Sequence, residues 1–425
     1  MITRDFWKSY GPGLLWAAAA IGVSHLVQST RAGAEAGFAL AGVILLALVL
    51  KYPFFEFGPR YAAATGRSLV EGYAEIGGWA VWLYLLITLA TSVIVAATIL
   101  LFTGFLVLSV LGLDWPVWLA AGVLYVLCAG LLWVGRYRLL DRTVKVILVL
   151  LAVSTLFAAV VALPRADPST LALVPEIGGR GGGGAVSFAF LLALVGWMPS
   201  AVDISVWSSL WTLAKDESER VRTDVSAALL DFRIGYVGTG IMAFAFLVLG
   251  AAVMHGSGRT FSAAGTAFSL ELVDLYGRTL GPWSRPFVLV AVLTTMLSTS
   301  ITVVDGFPRG IARSIEVISG RRPEGVVVRE TGRIYWIAMA AIGVATPLLL
   351  ALFGGSLTGM VDFATTVTFL TAPVLGYLNL RAAVSPRVPP ESRPGRALRA
   401  LSWVSLLILG AFGVVYLVSL AGPPG

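Results

Sequence analysis

Long runs without any charged residue constrain this chain more than any other feature. The stretch from Ala80 to Leu113 contains no Asp, Glu, Lys or Arg, and the stretch from Phe287 to Val304 is similar. A helix that crosses a bilayer needs about 20 such residues. The 425 residues, 58% hydrophobic and 12% charged, leave room for about ten or eleven spanning helices. We therefore predict an all-α integral membrane protein.

Interruptions by glycine, proline and charge divide the apolar sequence into eleven predicted spans. Clusters such as Arg136–Lys145 and Ser385–Arg399 separate neighbouring spans. The predicted spans are 13–30, 38–57, 79–111, 116–134, 146–163, 186–210, 234–254, 287–304, 334–353, 363–380 and 400–421. We expect residues 1–425 to form a single transmembrane domain.

The basic residues predict how the chain is oriented. With the N-terminus inside, the inner segments hold 24 Lys and Arg, and the outer segments hold six: Arg31, Arg165, Arg180, Arg259, Arg278 and Arg285. This asymmetry is the one that the positive-inside rule requires, and it supports eleven spans. We therefore expect a multi-pass protein with a cytoplasmic N-terminus and an external C-terminus. Short loops and the absence of targeting segments suit a plasma membrane, that is, a bacterial inner membrane.

Several function classes are disfavoured by composition. The net charge of +7 reports topology in a membrane protein, so we expect no nucleic-acid partner. The single cysteine, Cys128, excludes disulfides and thiolate clusters. Met1–Tyr10 is polar and leads directly into the first span, so we expect no cleaved signal peptide. Without His-Glu-x-x-His or Gly-x-Ser-x-Gly motifs we expect neither an enzyme nor a cofactor.

The first and sixth spans each consist of an apolar half, an interruption and a polar half. In the first span, Leu14–Gly22 is followed by Val23-Ser24-His25. In the sixth, the apolar helix ends at Gly196, and Pro199 and Asp203 follow. Proline removes a hydrogen bond from a helix interior. Unpaired backbone at membrane depth persists only against protein or a wet cavity, so these interruptions predict a site.

The two interruptions occupy equivalent places in two sets of five spans. Because five is odd, the second set starts from the opposite side, and the sets are inverted. We predict repeat one at about 11–163, repeat two at about 186–380 and an extra helix at about 400–421. Interrupted helices at matching positions of inverted halves indicate the midplane binding site of a secondary transporter.

The candidate site centres on Asp203, the only acid that we place well inside the hydrocarbon layer. An Asp there costs about 2.5–3.5 kcal/mol on insertion scales, which favours a functional role. The alternative is a structural Asp that caps the second half-helix. The predicted substrate-binding residues are Gly22, Ser24, His25, Gln28, Gly196, Met198, Ser200 and Asp203, with Trp197 and Trp207 as possible walls.

More specific roles remain open for some of these residues. Asp203 and His25 are the candidate metal ligands, and His25 is alternatively a proton carrier or a buried hydrogen-bonding residue. Arg31 belongs either to the pathway or to an i,i+4 pair with Glu35 at the outer surface. The remaining predicted pathway residues are Ser205, Thr295, Ser298 and Thr366, whose hydroxyls also suit helix packing.

Five segments of the sequence resemble the Nramp divalent metal-ion transporters. They are Gly11-Pro12-Gly13, Gly37-Phe38, Tyr61–Glu71, Ala193–Gly196 and the seventh helix beginning near Asp231. This resemblance implies a LeuT-type fold, an inverted five-plus-five repeat with broken helices one and six. It implies a substrate site between those two helices, which the interruptions indicate independently.

The metal-binding residues of that family are not carried over. Where the family has Asp-Pro-Gly-Asn in the first helix, this chain has Gly22, Val23, Ser24 and His25. Where the family has Met-Pro-His, it has Met198-Pro199-Ser200, and that match needs a shift of about two residues. The third span contains no Asp, Glu or His, so we expect no proton path of the family's kind.

The remaining donors suit two kinds of solute. A hydrated Mg²⁺ or Mn²⁺ keeps several waters and tolerates few protein ligands, so a divalent cation is the first expectation. The alternative is a small organic solute, with an ammonium at Asp203 and an anionic group at Arg31 or a half-helix N-terminus. The expected partners are therefore the lipid bilayer and a small solute or ion.

Overall fold

The computed structural model describes residues 11–170, 177–178, 186–256, 281–320, 332–353 and 356–421, with a few residues between 270 and 279. For residues 135–148 it describes the backbone only. Arg180 and Arg259, two of the predicted outer arginines, lie outside the described residues.

The first span is broken, as predicted. It consists of α1 (Pro12–Ala20), a π-helical segment (Ser24–Ser29) and α2 (Thr30–Ala36). Proline suits the first turn of α1, where the missing N–H would have no helical partner. Asp231 completes that end, because its Oδ2 accepts hydrogen bonds from the amides of Gly11 at 3.2 Å and Gly13 at 2.8 Å.

Three helices follow the first span and account for the predicted second and third spans. They are α3 (Ala41–Thr65), the short α4 (Leu69–Ile76) and α5 (Gly78–Leu111). A capping box starts α4, in which Glu71 accepts from the Ser68 amide at 2.7 Å. Gly66 ends α3 in the left-handed conformation, with φ of 68°, which glycine adopts without steric cost.

The predicted boundary between the fourth and fifth spans is wrong. Instead of two helices at 116–134 and 146–163, the structure has one helix, α6 (Val117–Ala162). The cluster Arg136–Lys145 is rich in Arg, Leu and Lys, and these residues favour helix. Charge therefore interrupts the apolar sequence at this cluster without ending the helix.

The sixth span is broken as predicted, into α7 (Phe188–Trp197) and α8 (Ile204–Glu219). A two-residue parallel pair, β1 (Ile177–Gly178) and β2 (Val186–Ser187), precedes it. The second half continues with α9 (Val225–Val253), α10 (Arg285–Ile318), α11 (Arg333–Phe353), α12 (Leu357–Ala383) and α13 (Arg396–Ala421). Helix α10 extends 14 residues beyond its predicted end at 304.

Eight helices of the described part are long and apolar enough to cross a membrane. The broken spans are absent from that set because each half is too short alone. Helix α5 has 67% of its most apolar window buried inside the protein, whereas α13 has 22%. Helix α13 therefore lies at the lipid-facing periphery, and α5 belongs to the interior.

The broken spans lie in the middle of the helix bundle. Helices α1 and α2 pack on α9, α7 packs on α12, and α8 packs on α3. At Gly33 an added Cβ would lie 2.1 Å from the Leu247 carbonyl oxygen, and at Gly250 it would lie 2.1 Å from the Thr30 oxygen. Glycine at both positions lets the backbones of α2 and α9 touch, which holds the first span in place.

Candidate functional site

A small cavity lies between the two interruptions. The first span contributes Ala19, Ala20, Val23 and Ser24, and the sixth contributes Trp197, Ser200, Ala201, Asp203, Ile204 and Trp207. Helices α5 and α10 complete the wall with Val95, Ile99, Thr299 and Val303. Most of these side chains are apolar, and Asp203 is the one carboxylate among them. Trp197 and Trp207, which were expected beside the site, both line the cavity.

Asp203 serves as the N-cap of α8 and also lines the cavity. Its Oδ1 accepts a hydrogen bond from the Ile204 amide at 3.1 Å, and the residue is 5% exposed. The capping role that the sequence left as one alternative is therefore present, and the same residue lines the cavity. A carboxylate at a helix N-terminus is stabilised by the helix dipole, which offsets part of the cost of burial.

Lys51 of α3 faces the other end of the interruption. It is fully buried, and its Nζ donates to the carbonyl oxygens of Val195 at 2.6 Å, Gly196 at 2.7 Å and Ser200 at 3.1 Å. A positive charge at the C-terminal end of a helix interacts favourably with the dipole. The ammonium thus stabilises the end of α7 as the carboxylate of Asp203 stabilises the start of α8.

The charge pattern of the sequence does not single out Lys51, which is one of the 24 basic residues assigned to the inner segments. A lysine near the end of a span normally extends its ammonium to the membrane surface. One feature of the sequence does indicate an unusual lysine. Lys51 is the only charged residue in the apolar run from Ala41 to Phe55. Only the packing of α3 against α7 and α8 shows that this ammonium points inward.

Ser24 lines the cavity, but the structure does not bring His25 there. The His25 ring is fully buried, with Nε2 3.0 Å from the Thr239 carbonyl oxygen of α9 and Nδ1 2.8 Å from Ser24 Oγ. Ser24 Oγ also donates to the Ala20 carbonyl at 2.5 Å. Adjacent residues of a helix point in different directions, so the hydroxyl faces the cavity and the imidazole faces α9.

The two glycines and the methionine of the predicted site have backbone or packing roles. Gly22 lies in the first interruption, and its carbonyl accepts from Leu26 at 2.9 Å. Gly196 lies in the last turn of α7, where an added Cβ would be 2.3 Å from the Thr365 oxygen. Met198 caps the end of α7 and is fully buried, but it is not among the residues that line the cavity.

Gln28 and Arg31 belong to a cluster beyond the cavity, which we name the outer cluster. Asp362 Oδ1 of α12 accepts from Gln28 Nε2 at 3.1 Å and from Arg31 Nη1 at 2.9 Å. The predicted pair of Arg31 with Glu35 is present at 3.5 Å. The Arg31 guanidinium also lies 4.6 Å from the ring centroid of Phe190 in α7. The outer cluster therefore joins α2, α7 and α12.

The other predicted pathway residues do not line the cavity. Ser205 Oγ accepts from Asn379 Nδ2 at 2.7 Å, and Ser298 Oγ donates to the Thr295 carbonyl at 3.0 Å. Thr366 is half-buried on α12. From the hydroxyl-rich eighth span it is Thr299 that reaches the cavity, where it donates to the Ala18 carbonyl at 3.0 Å. The sequence pattern does not distinguish Thr299 from the other hydroxyl residues of this span.

Asp203 is not the only buried acid. Asp305 is fully buried on α10 and accepts from Arg309, from Trp211 Nε1 of α8 and from the Tyr335 hydroxyl of α11, each at 2.8 Å. Asp305 directly follows the predicted eighth span, 287–304, and the structure includes it in α10. Among the described residues, no group of three or more His, Cys, Asp or Glu is arranged to hold a metal ion.

Comparisons with known proteins identify the family to which the sequence is similar. A family model described as natural resistance-associated macrophage protein-like (Nramp) matches residues 13–419. An uncharacterized protein of Pasteurella multocida is 32% identical over 99% of this chain and 95% of its own length. The divalent metal cation transporter MntH of Chromohalobacter salexigens is 25% identical, over 71% of this chain and 70% of its own length.

The fold is also similar to that of a solved structure. The manganese transporter of Eremococcus coleocola superposes with a TM-score of 0.68 at 15% identity, over 98% of this chain and 88% of its own. The LeuT-type architecture expected from the sequence is thereby confirmed. Given the family match over nearly the whole length, this multi-pass membrane protein belongs to the Nramp family.

Proposed function

We propose that this chain is a secondary transporter that binds a small solute between its two broken spans and exposes it alternately to each side of the membrane. The observation that carries this proposal is the cavity itself. It lies where both spans are interrupted, and it contains the buried carboxylate of Asp203. A buried acid in such a place indicates a substrate pathway.

The first candidate substrate is a divalent cation of the Mg²⁺ or Mn²⁺ type. The relatives named as metal cation and manganese transporters support this choice. The cavity offers the Asp203 carboxylate and the hydroxyls of Ser24, Ser200 and Thr299. Oxygen donors suit hard cations, and an ion that keeps part of its water needs few of them. The site is rebuilt relative to the family, and transport proceeds without the family's acids in the third span.

A small organic solute is the second candidate, and two observations favour it. The cavity wall is mainly apolar, and two tryptophans face it, which suits an organic group better than a bare ion. Lys51 also places a positive charge opposite Asp203 across the interruption. A solute with one cationic group would meet the carboxylate while its apolar part contacts Trp197 and Trp207.

Alternating access requires that the cavity close at each end in turn. In this structure the outer cluster joins both broken spans to α12. We propose that this end faces the cell exterior, with the N-terminus in the cytoplasm of a bacterium. Movement of α1, α2, α7 and α8 against the remaining helices would then separate Arg31 from Asp362 and open the cavity outward.

The experiment that tests this function is flux into proteoliposomes. Vesicles containing the purified protein and a metal-sensitive dye are offered Mg²⁺, Mn²⁺ and Ca²⁺ in turn, with a pH indicator in parallel. We expect saturable entry that Asp203→Asn abolishes. Asn caps helices about as well as Asp, so this variant removes the charge and keeps the cap. Asp224→Asn is the matched control, because Asp224 caps α9 outside the cavity.

Each outcome of the flux measurement has a definite meaning. Metal entry that survives Asp203→Asn at wild-type affinity would refute the proposed site. If the folded wild-type protein admits none of the three metals, the organic solute becomes the favoured substrate. Competition by small amines and amino acids would then be measured with the same pair of variants.

A further inference from the structure

Lys51 is a buried charged group beside the sixth interruption whose effect on cation binding the proposed function does not specify. It lies on α3, fully buried, and its side chain reaches the sixth interruption. An ammonium has three N–H donors. Those of Lys51 meet three backbone carbonyls, from Val195, Gly196 and Ser200, at 2.6–3.1 Å.

These three carbonyls form a ligand set for a cation. In transporters with discontinuous helices, the unwound carbonyls and the C-terminal ends of half-helices coordinate the cation that is carried. Val195 and Gly196 belong to the C-terminal turn of α7, and Ser200 belongs to the interruption and lines the cavity. Together with the Asp203 carboxylate they are hard oxygen donors of the type that Mg²⁺, Mn²⁺ and Ca²⁺ bind.

We propose that Lys51 is a tethered cation that competes with the transported cation for these carbonyls and for the charge of Asp203. The inference rests on the proposed site between the broken spans. It makes Lys51 a specificity-determining residue. With its ammonium in place, the site is electrically neutral when empty and binds divalent ions weakly.

Charge balance explains why such a group affects specificity. Lys51 and Asp203 are a base and an acid that interact electrostatically, and as a pair they add no net charge to the empty site. A divalent ion that enters the occupied site leaves two uncompensated positive charges inside the protein, and burial of uncompensated charge is costly. A solute with one positive charge leaves one, and a zwitterion leaves none. Lys51 therefore lowers the affinity of the site for divalent ions, and it disfavours them relative to solutes that carry one positive charge.

A purely structural role for Lys51 would be to cap the C-terminal end of α7. The two roles predict opposite effects on cation binding. Removal of a cap loosens the site and weakens binding of any ligand. Removal of a competitor frees three carbonyls and one negative charge, and this tightens binding of a divalent ion.

The test measures Mn²⁺ binding to the purified full-length protein by electron paramagnetic resonance. We expect Lys51→Met to lower the Kd for Mn²⁺ at least tenfold. Lys51→Arg keeps the charge and should bind Mn²⁺ as weakly as the wild type. Combining Lys51→Met with Asp203→Asn should abolish the gain, because the gained ion would lie beside that carboxylate. Arg67→Gln removes an exposed positive charge that follows the same helix, away from the cavity, and should leave the Kd unchanged.

Unchanged or weaker Mn²⁺ binding by folded Lys51→Met protein would overturn the proposal. Lys51→Gln provides a second test, because it keeps hydrogen-bond donors for the end of α7 while it removes the charge. Absence of a gain in that variant would overturn the proposal equally. Failure of the proposed function would give a different result. Flux through the wild-type protein would then not depend on Asp203, and this outcome is independent of how the Lys51 variants bind Mn²⁺.

Discussion

Arg31 and Asp362 connect the first span to the tenth, with 2.9 Å between Nη1 and Oδ1. Their side chains are 12% and 37% exposed, so the pair lies only partly in solvent. The same guanidinium lies over the ring of Phe190 on α7. One side chain thus holds both broken spans against α12.

Breaking this contact should open the cavity outward. We expect Arg31→Gln to increase the rate at which a cavity cysteine, introduced as Ser24→Cys in a Cys128→Ser background, is labelled by an impermeant thiol reagent from outside. A partly exposed ion pair contributes about 1 kcal/mol, which corresponds to about fivefold in the open population. Exchanging the charges, with Arg31→Asp and Asp362→Arg together, should restore slow labelling. Acceleration only from the inside would reverse the proposed orientation.

Stability should depend strongly on the buried pair of Asp305 and Arg309. Its side chains are 0% and 3% exposed. Loss of one partner of such a pair costs about 3–5 kcal/mol, because the other charge stays buried. We expect Asp305→Asn to lower the thermal unfolding temperature in detergent sharply. Asp274→Asn is the control, since Asp274 pairs with Arg278 and Arg285 at exposed positions. Equal effects of the two variants would contradict this account.

Contact between α2 and α9 should depend on Gly250. A methyl group there would lie 2.1 Å from the Thr30 carbonyl, whereas at Gly238 of the same helix it would meet nothing within 4 Å. Overpacking of this kind costs about 1–3 kcal/mol. We expect Gly250→Ala to lower the unfolding temperature. Gly238→Ala should leave it unchanged or raise it, because Ala favours helix by about 1 kcal/mol over Gly. The reverse order would show that the helices are farther apart.

Asp224 should stabilise the N-terminus of α9 in a pH-dependent way. Its Oδ2 accepts hydrogen bonds from the hydroxyl and amide of Ser226, and these bonds lower the pKa of the carboxyl. A lowered folded-state pKa means that the contribution is present above the unfolded pKa of about 3.9 and is lost as the pH falls below it. Asp224→Ala should cost about 1 kcal/mol at pH 7. The difference in unfolding temperature from the wild type should shrink below pH 4, and a constant difference would argue against this role.

Apolar run length and the spacing of interruptions were sufficient to predict the membrane class, most spans and both broken helices. The reason is physical: a bilayer requires about 20 apolar residues per span, and a helix interrupted within it needs compensation nearby. The Arg136–Lys145 cluster shows where this logic fails. Charge limits how far a segment lies in lipid, but it does not terminate a helix whose residues favour helical backbone.

The sequence by itself therefore determined the architecture, and it singled out the two interruptions and Asp203, which the structure brings together around one cavity. Tertiary structure decided which polar side chains face the cavity, because that depends on how neighbouring helices rotate and pack. It turned His25 toward Thr239 of α9 and brought Thr299 to the cavity wall. It also placed the ammonium of Lys51, distant in sequence, against the carbonyls at the end of α7. Hydrogen bonds and charge pairs between helices join residues far apart in the chain, so a local sequence pattern does not predict them.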